Sequence, residues 1–179
     1  ASFSSVMSDR ALIFILCMAE VLGMLGISSF AALLPEMQAE WSLNNADAGW
    51  ITGIYFAGYL VAVPVLVGLT DRMDPKRIYL ASAALGGASL LGFALIADGF
   101  WSGLIFRSLS GVALAGTYMP GLKALTDRVG DKIRPRAVAF YTASFGIGGS
   151  LSFLISGEVA AAFSWQAAFA VVALGTPFS

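Results

Sequence analysis

Histidine is absent from this 179-residue chain. With it go the commonest metal ligand and the commonest general base, and neither a paired-cysteine site nor a Gly-x-Ser-x-Gly elbow stands in their place. The sequence therefore reads as a protein that is not an enzyme, with no metal centre and no cofactor. Cysteine is almost absent as well: Cys17 is alone inside an apolar run, which excludes an internal disulfide. Charge is scarce too, at 12% of residues with a net of -1 and a pI near 5.2. That balance offers nothing to nucleic acid, and the basic residues that exist are locally concentrated.

What fills the space is apolar. Hydrophobic residues make up 58% of the chain and the mean hydropathy is +0.83, far outside the range of soluble domains. Apolar segments run over about 11–34, 48–69, 78–97, 100–122, 137–157 and 163–179. Each of the first five approaches or exceeds the ~20 residues a helix needs to cross a ~30 Å hydrocarbon core. A bilayer has no water for unpaired amides, so the runs are predicted as helices; the ~10-residue alternating segments of a membrane barrel are missing. The first run is too long for a signal peptide and is followed by further spans. The expected fold is all-α and polytopic, with residues 1–10 as an amino-terminal tail and 11–179 as one six-helix domain.

Charge orders these spans. Arg10, Arg72, Lys76, Arg77, Lys123, Arg128, Lys132, Arg134 and Arg136 all fall in the tail or in the loops after spans two and four. The opposite loops carry Glu36, Glu40, Asp47, Asp98 and Glu158 and no basic residue. The positive-inside rule then predicts a cytoplasmic amino terminus in a cell membrane of the inner or plasma type. Trp41, Trp50, Trp101 and Trp165 lie near the outer ends of spans, where interfacial anchors are expected.

A turn that only sets topology needs basic residues, yet Asp71–Arg77 also holds two aspartates. The order Leu69, Asp71, Arg72, Lys76 resembles motif A of the major facilitator superfamily, Gly-x-Leu-x-Asp-Arg-x-Gly-Arg-Lys, which joins the second and third helices. Val67 stands at the first glycine with Gly68 one place later, and Asp74-Pro75 replace the second glycine and the next basic residue. Pro35-Glu36-Met37, Trp41-Ser42-Leu43 and Ala48-Gly49-Trp50 look like that family's connection between helices one and two. Arg107-Ser-Leu-Ser-Gly111 resembles its motif B, and Ser164–Phe169 the start of its sixth helix. Gly146, Gly148, Gly149 and Gly157 look like a degraded motif C, because Ser152-Phe153 occupies its Gly-Pro pair. Small residues there, and Gly86, Gly87 and Ser89 in the third span, also suit plain helix packing.

The resemblance implies the amino-terminal half of a twelve-helix transporter, built as a 3+3 inverted repeat around a midplane site. It implies secondary active transport of a small solute by alternating access, as symporter or antiporter, coupled to an ion with the proton foremost. The implied partners are that solute, the ion, the lipid bilayer and a carboxy-terminal half outside this sequence. Leu69, Asp71, Arg72, Lys76 and Arg77 would form its cytoplasmic gate. A six-helix receptor or scaffold without transport is the alternative.

Two charges lie within the spans. Glu20 is the tenth residue of the first span, ~15 Å deep, and Arg107 enters the fourth from the other side. Buried ionisable groups are costly in a membrane and mark functional sites by default, so both are candidates for binding the coupling ion or substrate. A structural Glu20–Arg107 pair, or a neutral Glu20 bonded to a neighbouring helix, is the competing reading. Tyr55 and Tyr59, one turn apart, and Tyr118 are candidate cavity-lining residues that could equally be packing residues. Pro64 and Pro120 fall near helix ends, where a freed carbonyl permits a bend.

Overall fold

A computed structural model describes residues 8–70 and 72–176. Asp71, in the charged turn, lies outside the described residues. Every element among them is helical: α1 (Asp9–Gly23), a 3-10 turn (Met24–Gly26), α2 (Ser29–Ala32), α3 (Leu34–Trp41), α4 (Asn45–Thr70), α5 (Pro75–Ile96), α6 (Phe100–Arg128), α7 (Arg134–Ala162) and α8 (Trp165–Gly175).

Local chemistry sets the boundaries. Ser8, Asp74 and Ser164 cap α1, α5 and α8 by accepting from Ala11 N, Lys76 N and Ala167 N. Pro75 occupies the first turn of α5, where its missing donor costs nothing. Ser42 ends α3 in the left-handed region, at φ 53°. Helices α6 and α7 have 29 residues each, about 43 Å at 1.5 Å per residue, so they project beyond a ~30 Å hydrocarbon layer.

By length and composition α4, α5 and α7 are apolar enough to cross a membrane. Little of α4 and α7 is buried within the bundle, with Leu60, Val61, Val65, Phe153 and Leu154 exposed. Such surfaces require lipid or another apolar body against them. Helix α6 is the least apolar of the long helices and sits at the centre of the bundle, packed against α4 and α5. Its buried hydroxyls are partnered internally: Ser110 shares a hydrogen bond with Ser89 at 2.8 Å and Thr117 bonds back to Ala113 O. At the α4–α6 crossing, Gly111 lies directly on the Tyr55 carbonyl, and any Cβ there would overlap that oxygen.

The first predicted span departs from expectation. Instead of one helix over 11–34, the chain breaks after Gly23, passes through the 3-10 turn, and resumes as α2 and α3. Two glycines and two serines between residues 23 and 29 weaken the helix, and other helices satisfy the freed backbone groups. Of the glycines in α7, Gly148 packs on Met24 beside this break, whereas Gly146 and Gly157 meet open space.

The core has an acidic-end and a basic-end cluster. At the acidic end Phe30, Met37, Ile51, Phe93, Phe169 and Val172 are buried together. Phe93 stacks on Phe169 at 4.2 Å. Trp50 and Trp101 are exposed as interfacial anchors should be, but Trp41 and Trp165 pack edge to face at 5.6 Å, and Trp165 Nε1 donates to Glu40. These two rings therefore hold helix ends together. At the basic end Leu12, Leu125, Val129, Ala137 and Tyr141 close the bundle.

Candidate functional site

Glu20 sits on the last turn of α1, three residues before the helix breaks, and is 2% exposed. One carboxylate oxygen accepts a hydrogen bond from the Tyr141 hydroxyl of α7 at 2.8 Å. The other, Oε1, is buried with no partner. A half-satisfied acid in an apolar bundle is a costly arrangement that packing alone does not require.

Arg107 of α6 is also 2% exposed and lies on the far side of the break. Its guanidinium donates to Gly26 O at 3.3 Å and Ile27 O at 3.2 Å. Those carbonyls have lost their helical partners, so the arginine caps the interrupted helix from across the bundle. The Tyr55 ring covers it at 4.4 Å, in cation–π geometry, with Phe30 further off at 5.9 Å. Ser152 of α7 completes the break by accepting from Ser28 N at 3.0 Å, and Ser156 donates to Ser29 Oγ at 2.8 Å. Among the described residues no ion pair joins Glu20 to Arg107; the recorded pairs are Lys123–Asp127 and Arg134–Asp131 at the basic end. The two charges flank one helix break and are not bound to each other.

The three tyrosines singled out by sequence do converge. Tyr55 and Met24 are buried in one cluster with Leu114, and Tyr59, Tyr118, Ile27 and Phe145 pack against it. Tyr118 lies 5.4 Å from the Tyr141 ring and 5.9 Å from Phe145. A cavity of about 30 Å³ adjoins the break, lined by Gly26, Ile27, Tyr55, Ser82, Ser110 and Thr117 among others. That is room for a water or two, since one needs roughly 10–15 Å³.

Tyr141 and the serines of α7 escaped the sequence reading. The available signal was small: Tyr141 is the one tyrosine of the fifth span. The charged turn lies apart from this centre. Leu69 O accepts from Arg72 N and Met73 N, closing the turn at 3.0 and 2.9 Å. Arg72, Lys76 and Arg77 are exposed, and Asp74 is the cap of α5.

Comparison with known proteins agrees with this architecture. The sequence profile of the Major Facilitator Superfamily matches residues 16–178. The niacin transporter NiaP of Acinetobacter baylyi is 25% identical over 146 residues, covering 82% of this chain and 33% of that protein. The galacturonate transporter of Dickeya chrysanthemi is 31% identical over 152 residues, 84% of this chain and 44% of its own length. In fold the chain is similar to a bacterial homolog of the human lysosomal transporter Spinster, solved inward-facing and unoccupied. The TM-score is 0.86 at 19% identity, over 97% of this chain and 42% of that one. The chain thus spans less than half the length of these relatives. A profile match over nearly its whole length, together with that fold, shows that this multi-pass membrane protein belongs to the Major Facilitator Superfamily.

Proposed function

We propose that these residues form the amino-terminal half of a secondary active transporter that moves a small organic acid across a cell membrane by alternating access, coupled to protons. The observation that carries this reading is Glu20: a buried carboxylate, bonded through one oxygen only, beside the break in the first helix, where α1 packs on α7 and α6. Discontinuous helices in transporters commonly place ion and substrate groups at such breaks. Arg107 fixes a positive charge on the other side of the break. With Glu20 ionised the two charges offset each other at a distance. With Glu20 protonated, Arg107 leaves the region net positive, which favours an anion. Proton and organic anion would then load together. Relatives named for niacin and galacturonate support a substrate of that size and charge.

Tyr59 and Tyr118, both half-buried, would line the cavity wall facing the second half, offering hydroxyls and ring faces, with Tyr55 buried behind them against Arg107. Leu69, Asp71, Arg72, Lys76 and Arg77 would serve as the cytoplasmic gate, with the amino terminus cytoplasmic as the basic loops require. The test is uptake of radiolabelled galacturonate and nicotinate by the full-length protein in liposomes, with and without an inward proton gradient. Gradient-stimulated uptake that loses its pH dependence in Glu20→Gln is expected. Uptake in Glu20→Gln at unchanged rate and unchanged pH dependence would refute the role given to Glu20.

A further inference from the structure

Tyr141 is 1% exposed, and its hydroxyl is the only side-chain hydrogen-bond partner of Glu20 among the described residues. That hydroxyl faces two acceptors, Glu20 Oε2 at 2.8 Å and the Tyr118 carbonyl of α6 at 3.3 Å. A phenol has one hydrogen, so both acceptors cannot be fully served. A bond to an ionised group is roughly twice as strong as one to a neutral group, and the shorter contact is to the carboxylate. Once the free Oε1 takes a proton, the carboxyl becomes neutral and the Tyr118 carbonyl competes on nearly equal terms. Pro120 of the same helix has no backbone donor, but the carbonyl it leaves without a helical partner is that of Gly116, four residues earlier; the Tyr118 carbonyl receives the Tyr141 hydroxyl through its second lone pair.

We propose that Tyr141 is a positioning residue for Glu20 whose hydroxyl hydrogen moves toward the Tyr118 carbonyl when Glu20 is protonated, relaying proton loading from α1 to α6. This rests on the reading of Glu20 as the proton site. The proton gained stays on Glu20, Tyr141 remains a neutral phenol throughout, and its hydrogen changes acceptor without leaving its oxygen. The surrounding ionisable groups are Cys17 of α1, Tyr118 and Arg107 of α6, Tyr55 and Tyr59 of α4, and Tyr79 of α5, whose ring, like the Tyr141 hydroxyl, lies beside Gly121. Glu20 is the single buried acid among the described residues, so a buried carboxyl signal from this half has one source.

Gly121 of α6 lies against the Tyr141 hydroxyl, where an added Cβ would collide with it. Gly121→Ala therefore pushes the hydroxyl off Glu20 while deleting no polar group. The experiment is acid-minus-alkaline infrared difference spectroscopy of the full-length protein in liposomes, with unlabelled and ring-labelled tyrosine. A carboxylic C=O band should appear at acid pH and vanish in Glu20→Gln. A tyrosine hydroxyl band should titrate with the same midpoint and vanish in Tyr141→Phe, while the Glu20 band moves to higher frequency in both Tyr141→Phe and Gly121→Ala. Because Gly121→Ala retains the hydroxyl, it decides the matter if Tyr141→Phe does not fold. A Glu20 band that neither variant shifts, or that no tyrosine band accompanies, overturns the relay and leaves Glu20 standing. Absence of any band lost in Glu20→Gln overturns both the proton site and the relay.

Discussion

Replacing Arg107 by methionine removes the cap from the broken first helix while keeping an unbranched apolar stem in place of the arginine's own. The wild-type side chain makes two charge-assisted hydrogen bonds, to Gly26 O and Ile27 O, and stacks under Tyr55. On soluble-protein values, each orphaned buried carbonyl costs about 1–3 kcal/mol. Interhelical hydrogen bonds in membranes average nearer ~0.6 and reach ~1.7 kcal/mol, because the unfolded helices also find partners in the bilayer. Two such bonds then contribute about 1–3 kcal/mol, and the desolvated cation–π contact adds ~1–2. Methionine no longer carries a buried charge, and Arg107 Nε has no partner to lose, which offsets part of this sum. The expected net loss is about 2 kcal/mol. Arg107→Lys should fall between, since an ammonium is a point charge without the planar fork that reaches both carbonyls. Equilibrium unfolding of the full-length protein in mixed micelles measures this. Arg107→Met within ~0.5 kcal/mol of wild type, the range of an uninvolved surface site, would refute the capping argument.

The other expectations follow from equally local contacts. Gly111→Ala gains up to ~1 kcal/mol of helix propensity but forces a methyl onto the Tyr55 backbone, so a net loss of ~1–3 kcal/mol should appear in the same unfolding assay; a gain would mean that the α4–α6 crossing is looser than described. Asp74→Ala should cost ~1 kcal/mol through the lost α5 cap and Asp74→Asn almost nothing, so equal losses in unfolding would remove the capping role. If the charged turn gates the cytoplasmic side as proposed, Asp71→Asn should slow uptake of whichever solute the full-length protein carries and shift inter-half distances, read by spin-label pairs, toward the inward-facing state; Asp74→Asn giving the same shift would reduce the cluster to a topogenic signal.

The sequence announces what the bilayer itself enforces. Six apolar runs and a one-sided set of basic loops are visible because each span must satisfy its own amides and each charge must leave the hydrocarbon, and α4, α5, α6 and α7 appear close to where those runs lie. The helices run past the ends of those apolar stretches: α6 continues to Arg128 and α7 begins at Arg134, since a helix need not stop where the hydrocarbon does. The break at Met24–Ser28 was hidden because its sequence is as apolar as a regular span. Its stabilising partners, Arg107 and Ser152, lie 81 and 124 residues away in sequence from the groups they satisfy. The same distance explains Tyr141, which gains meaning only from a carboxylate 121 residues earlier. Glu20 and Arg107 were legible individually, as charges that a membrane does not tolerate without cause. Their separation was not, because opposite charges at similar depth suggest a pair until the backbone is known to offer one of them better acceptors. Two carbonyls freed by a helix break satisfy a guanidinium without neutralising it, and the carboxylate is left without a charge partner, which is the condition the proposed proton site needs.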